Sequence, residues 1–128
     1  MTNTVLPHDH GQSMEQEIGR IPTASDFQTV ADIFKQLGDG SRIRIFWLLC
    51  HCEECVINIS AMVNMSSPAV SHHLRQLKAA HLIVSRREGK EVYYRAADSQ
   101  QAQTLHHMIE LLVKISCPSA PETAGEQP

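Results

Sequence analysis

Three of the chain's four cysteines fall within six residues, Cys50-His51-Cys52-Glu53-Glu54-Cys55. Cys50, Cys52 and Cys55 can converge on one ion if the chain turns between them. Thiolates favour soft or borderline metals, which points to zinc, cadmium, lead, or trivalent arsenic in a three-sulfur site. A cysteine inside a helix is otherwise a small apolar residue, which suits Cys50 after Leu48-Leu49. Cys52 and Cys55 flank two acids and are expected to be accessible. A second donor group is His106, His107 and Glu110, with Asp98 upstream. On a helix Glu110 lies four residues from His106 and three from His107, so it can share a face with either imidazole. Two such faces meeting across a dimer would complete a nitrogen/oxygen site for zinc, nickel or cobalt. Cys117, or His8 and His10 of the string His8-Asp9-His10, are possible additional ligands.

Elements must position these groups. Ser66 to Ala80 reads as a helix with Ser66 as N-cap and Pro68 in its first turn. Val70, Leu74 and Leu77 form its apolar stripe, while Ser67, Ser71, His72, Arg75 and Lys78 lie on other faces. His73 lies one position further round, in a structural place. Ile57 to Val63 is a short apolar helix, and Asn64-Met65 joins the two. A helix, a tight turn and a capped polar-faced helix make a helix-turn-helix, whose second helix enters the DNA major groove. His81 falls in the connection that follows. Two β-prone runs, through Arg87 and from Glu91, then flank Glu88-Gly89-Lys90, a hairpin signal. Arg86, Arg87 and Lys90 cluster at its tip, as in a wing reaching phosphates. Upstream, Ser25 or Asp26 caps a helix to about Leu37, and Asp39 or Ser41 opens another to about Cys50. In the second, Ile43, Phe46, Trp47 and Leu48 or Leu49 are candidates for the core. Asp98 or Ser99 starts a last helix to about Ser116, with Leu105, Met108, Ile109, Leu112 and Ile115 on one face, suited to pairing with its copy.

The chain is thus expected to be mainly α with a β-hairpin wing, a winged helix-turn-helix dimeric through its terminal helices. Residues 1–22 read as a flexible arm, 23–118 as the folded domain and 119–128 as a disordered tail. The net charge of −3 is unevenly divided: Ser41 to Arg95 carries +4, leaving −7 elsewhere. Basic charge sits where DNA would be met. The sequence has no bilayer-spanning apolar run and no signal-peptide pattern, so a cytoplasmic location with reduced thiols is expected.

Several strings resemble the ArsR/SmtB family of bacterial metalloregulators: Phe34-Lys35-Gln36-Leu37-Gly38-Asp39-Gly40-Ser41-Arg42, Glu53-Glu54-Cys55-Val56, Ser66 to Leu77, and Arg87-Glu88-Gly89-Lys90-Glu91-Val92-Tyr93-Tyr94. The likeness runs from about Thr23 to Cys117. It implies a winged-helix homodimer that binds operator DNA near a metal-efflux or detoxification gene and is weakened in that binding by a metal ion. Cys55 falls on the family's ligand cysteine, but Ile57 replaces a possible second thiol. In the last helix Asp98 matches a family zinc ligand, whereas Gln100, Leu111 and Lys114 stand at the other ligand positions.

The resulting expectation is a metal-responsive repressor, with zinc, cadmium, lead or arsenite as inducer. Ser67, Ser71, His72, Arg75, Lys78, Arg86, Arg87 and Lys90 would meet double-stranded DNA, with no small organic substrate. The alternative of the same fold is a thiol-based redox or persulfide sensor using Cys52, Cys55 and Cys117. A rival of another class is a protein-binding module whose basic tip meets an acidic partner. An enzyme is not expected, because no general base is paired with an open metal position.

Overall fold

A computed structural model of the chain describes residues 5–11 and 15–121. The expectations for residues 1–4, 12–14 and 122–128 of the arm and tail lie outside the described residues. The chain divides into two compact units, one up to Asp32 and one from Ile33.

The first unit holds α1 (Glu15–Ile18), a single turn that the sequence reading did not anticipate, and the start of α2 (Ala24–Gln36). The cap of α2 is Thr23, and Ser25 and Asp26 lie inside the helix. The Thr23 hydroxyl accepts from the Asp26 N–H at 3.1 Å, and the Asp26 carboxylate accepts from the Thr23 N–H at 2.9 Å. This reciprocal capping box satisfies two otherwise orphaned donors, which neither Ser25 nor Asp26 alone would do.

The second unit contains α3 (Gly40–Leu49), β1 (Glu54–Cys55), α4 (Val56–Val63), α5 (Ser67–Ala79), β2 (Ile83–Glu88), β3 (Glu91–Ala96) and α6 (Gln100–Ser116). Its core gathers Ile45, Phe46 and Leu49 of α3, Ile59 and Val63 of α4, and Val70, Leu74 and Leu77 of α5. Leu82, Ile83, Ala102 and Leu105 complete it. Ile45 takes the core position expected of Ile43, which is only half-buried.

Local chemistry sets the boundaries. Asp39 caps α3 by accepting from the Arg42 N–H at 2.9 Å, Ser66 caps α5 through the Ala69 N–H at 3.3 Å, and Ser99 caps α6 through the Ala102 N–H at 3.1 Å. Asn64 ends α4 in the left-handed region (φ 55°), a conformation that asparagine tolerates. The Arg44 guanidinium donates to the Val63 carbonyl at 3.2 Å, closing the same helix end. After α5, His81 is also left-handed (φ 61°). The Leu82 N–H reaches the Leu77 carbonyl and the His81 N–H the Lys78 carbonyl, both at 3.0 Å, which is a Schellman ending.

The sheet is antiparallel, in the order β1-β3-β2. Glu88 pairs with Glu91, so Gly89-Lys90 is a two-residue turn, and only Gly89 of the pair has positive φ (64°). That is the type II′ pattern, which demands glycine at the first turn position. β1 was not anticipated. Its two residues pair with Tyr94 and Tyr93, tying the cysteine-rich segment to the hairpin.

Helix α6 departs from its expected single apolar face. Ala102, Leu105 and Glu110 are buried and Ile109 is half-buried, while Met108, Leu111, Leu112 and Ile115 are exposed. The helix therefore has an inner face closed by a carboxylate and a separate outer apolar row. No helix among the described residues is long and apolar enough to cross a membrane.

Candidate functional site

Two regions carry chemistry. The first is the outer side of α5 and the hairpin. Burial of Val70, His73, Leu74 and Leu77 turns Ser67, His72, Arg75 and Lys78 outward, with Ser71 half-buried beside them. The Ser67 hydroxyl shares a hydrogen bond with that of Ser60 at 3.1 Å, and the Lys78 ammonium donates to the Ser85 hydroxyl at 2.6 Å. Among the described residues Arg75, Arg87 and Lys90 enter no ion pair. Arg86 differs. Its guanidinium grips Glu53 through Nε and Nη2 at 2.7 to 3.0 Å, reaches Glu88 at 2.6 Å, and lies 4.9 Å from the Tyr93 ring centre. These carboxylates hold the Arg86 pKa well above the ordinary arginine value, and the Arg86 hydrogen bond holds the Glu53 carboxyl below its usual range.

His73 serves the fold. The Arg42 Nε–H donates to its Nδ1 at 3.3 Å, so that nitrogen carries no proton and the ring is neutral. Burial lowers the His73 pKa, a direction that agrees with this contact even though Asp39 pulls the other way.

The second region lies where the turn after α3 meets α6. Glu110 is 8% exposed, and its Oε1 accepts from the Trp47 indole N–H at 3.2 Å. The same oxygen is 2.8 Å from His106 Nε2 and 3.3 Å from His51 Nε2, and the two imidazole nitrogens are 3.1 Å apart. Helical geometry explains the convergence. Trp47 and His51 are four residues apart, with the His51 N–H still bonded to the Leu48 carbonyl, and His106 and Glu110 are four apart on α6. Two i,i+4 pairs thus face each other.

Among the described residues this is the only group of three or more metal-ligating side chains whose donor atoms lie within 4.8 Å of one another. His106 and Glu110 are therefore brought together, but with His51 of the same chain. His107 and Asp98 are exposed, and the Asp98 carboxylate accepts from the Gln103 amide at 3.2 Å. Cys117 is exposed at the end of α6. The His8 and His10 rings stack 5.8 Å apart in the first unit. His51 is the residue that sequence reasoning passed over. Its partners His106 and Glu110 lie on another helix far along the chain, and no local spacing marks it.

No thiol is among these converging donors, although two of them border the group. Cys50 and Cys52 line an open cavity of about 540 Å³ together with Leu49, Arg95, Asp98 and His106. Burial pushes the Cys50 thiol up to about 12, with the Glu110 charge adding to it, and burial with the Glu54 charge also raises Cys52. The Cys52 thiol donates to the Leu48 carbonyl at 3.4 Å. In both cases burial disfavours the thiolate, the form that acts as nucleophile. Cys55 lies half-buried at the start of α4, where its side chain makes no cap hydrogen bond.

The chain and its fold are similar to those of known proteins. The model of the bacterial regulatory protein, arsR family, matches residues 39–85. The chain is 36% identical over 93 residues to a transcriptional repressor SmtB homolog from Synechocystis, covering 73% of this chain and 70% of the relative. It is 33% identical over 87 residues to an arsenic resistance transcriptional regulator, ArsR2, from Pseudomonas putida, covering 67% of this chain and 75% of that one. The fold resembles the solution structure of a homodimeric winged helix-turn-helix DNA-binding domain from Mycobacterium bovis, a possible ArsR-family regulator. That match has a TM-score of 0.66 and 27% identity, and covers 90% of this chain and 99% of the other.

Proposed function

The chain belongs to the ArsR/SmtB family of bacterial transcriptional regulators, and on that premise we propose that it is a cytoplasmic repressor that binds operator DNA as a homodimer and releases it when a metal ion is bound. Like its family it is a DNA-binding winged-helix protein and not an enzyme. The observation that carries the reading is the outward face of α5, held by its buried opposite face and its Ser66 cap.

On this reading α5 lies in the major groove. Ser67, Ser71, His72 and Arg75 address base edges, and an arginine there can make the bidentate contact to guanine. Lys78, Arg87 and Lys90, with Arg86 once released by Glu53, meet phosphates and fix the register. The homodimeric assembly of the Mycobacterium bovis domain supports the same arrangement here. The exposed row Met108, Leu111, Leu112 and Ile115 of α6 is the surface we assign to it. Two-fold symmetry then presents two α5 helices to two half-sites.

The inducer is a soft or borderline ion, among zinc, cadmium, lead and arsenite. The Pseudomonas putida relative, named for arsenic resistance, supports a role of this kind. The residues present fit a metal ion, since His51, His106 and Glu110 already direct two imidazole nitrogens and a carboxylate oxygen at one another. A bound ion would add positive charge and a fixed link between the turn after α3 and α6. α3 packs against α5, so constraining that turn bears on the spacing of the two α5 helices. Ligand and DNA that prefer different arrangements oppose each other by about 1–3 kcal/mol. The thiol-sensing alternative is disfavoured at Cys50 and Cys52 by their burial.

Binding of the reduced protein to DNA upstream of its own gene, against scrambled DNA of the same composition, tests the reading. Arg75→Ala is expected to cost about 1–3 kcal/mol and to relax sequence preference, whereas Arg87→Ala weakens both DNAs alike. Equal binding to the two DNAs by the unmodified protein would refute it.

A further inference from the structure

We propose that His51, His106 and Glu110 of a single protomer form a site for one borderline divalent transition-metal ion of the zinc class, without sulfur ligands and without a residue from a second chain. Its regulatory meaning rests on the metal-responsive reading, but the site itself does not.

The geometry is that of one face of a coordination tetrahedron. Ligand bonds of zinc to nitrogen and oxygen imply ligand-to-ligand separations of about 3.3 Å. The three separations here are 2.8, 3.1 and 3.3 Å. Hydrogen bonds alone satisfy the group poorly. Each of the two facing Nε2 atoms can hold at most one hydrogen, and both are aimed at the same carboxylate oxygen and at each other. A cation in that space meets all three lone pairs at once. The Trp47 indole N–H on Glu110 Oε1 supplies the outer hydrogen bond that orients a ligating carboxylate. The imidazole side chains are 23% and 27% exposed, so an ion can enter, while Glu110 is buried and its charge is little screened. Three protein donors leave one coordination position for water. Nitrogen and oxygen donors select zinc, cobalt or nickel over lead or arsenite.

The site differs from each ligand set suggested by sequence. It includes neither Cys55 nor the helix-end positions Asp98, Leu111 and Lys114, and it draws on the turn after α3. It also sits at a junction. α3 packs on α5, and α6 bears the outer apolar row.

Cobalt titration of the reduced full-length protein tests the assignment, read by visible absorption and by fluorescence of Trp47, the only tryptophan, whose ring centre is 4.2 Å from that of His51. One cobalt per protomer is expected, with tetrahedral ligand-field bands, no sulfur-to-cobalt charge transfer, and quenching of Trp47. His51→Ala and His106→Asn, both partly exposed positions, should each weaken cobalt binding by more than about 100-fold. A Cys50→Ala, Cys52→Ser, Cys55→Ser, Cys117→Ser variant should bind as before. A sulfur charge-transfer band, binding that survives His51→Ala, or a purely structural network that takes up no cobalt would overturn the proposal. Zinc-dependent DNA release measured on the same variants separates the two claims. Cobalt at the triad with DNA affinity unmoved by zinc, cadmium, lead and arsenite leaves the site standing and removes the metal-responsive reading. DNA release that persists in a His51→Ala variant that no longer binds cobalt keeps the reading and removes the triad as its sensor.

Discussion

His73 stands beside His72 in the helix assigned to DNA, yet it serves the fold, in keeping with its structural place in the sequence: it is buried and accepts from Arg42. Because burial lowers its pKa, the unfolded imidazole takes up a proton first as the pH falls. The His73 contribution to stability is therefore full above the ordinary imidazole value of 6.5 and is lost as pH falls through the lower folded value. Denaturant midpoints at neutral and mildly acidic pH should fall with acidification, and His73→Gln should flatten that dependence. His81 offers a second residue-scale prediction. Its left-handed backbone carries a penalty that glycine avoids, so His81→Gly should raise stability by about 1 kcal/mol in urea unfolding. Stability lost in that variant would show that the imidazole makes a contribution of its own. The α5 cap and stripe were readable from Ser66, Pro68, Val70, Leu74 and Leu77, because local hydrogen bonding and a 3.6-residue period are written in neighbouring residues. The role of His51 was not, because its partners lie more than 50 residues away on α6.

At the scale of elements, the segment between α3 and α4 joins the two chemical regions. It carries His51, Cys52 and Glu53, and it enters the sheet as β1 beside the hairpin. Glu53 occupies the guanidinium of Arg86, which Glu88 also holds, and lies 3.9 Å from Arg95 of β3. Glu53→Gln should free Arg86 for phosphate. Operator affinity is then expected to rise several-fold at low salt, with a salt slope steeper by about one unit. A fall in affinity would mean that the pair positions the wing instead. β1 is two residues long, too short to leave an alternating pattern in the sequence, which is why it was not foreseen. The hairpin was foreseen from Gly89, because a two-residue II′ turn needs a left-handed first position. The thiols of the same segment suggest ligands through their proximity, their soft donor chemistry and the match of Cys55 to a family ligand cysteine. Folding turned Cys50 and Cys52 toward a cavity and brought His51 to α6.

For the whole molecule, the division of α6 into a buried inner face and an exposed apolar row accounts for both halves of the proposed activity. The inner face sets Glu110 against His106 and His51. The outer row is the assigned dimer surface. Leu112→Asp should shift the protein to monomer in sedimentation and reduce operator affinity sharply, since both half-sites must then be found independently. A dimer that survives this change would place the interface elsewhere. The most direct test of the account is fluorescence anisotropy of the reduced protein on DNA upstream of its own gene as zinc is added. A metal-responsive repressor should bind that DNA in preference to scrambled sequence and lose affinity by about 5- to 150-fold as the ion binds. Affinity that is the same for both DNAs, or unmoved by zinc, cadmium, lead and arsenite alike, would contradict it.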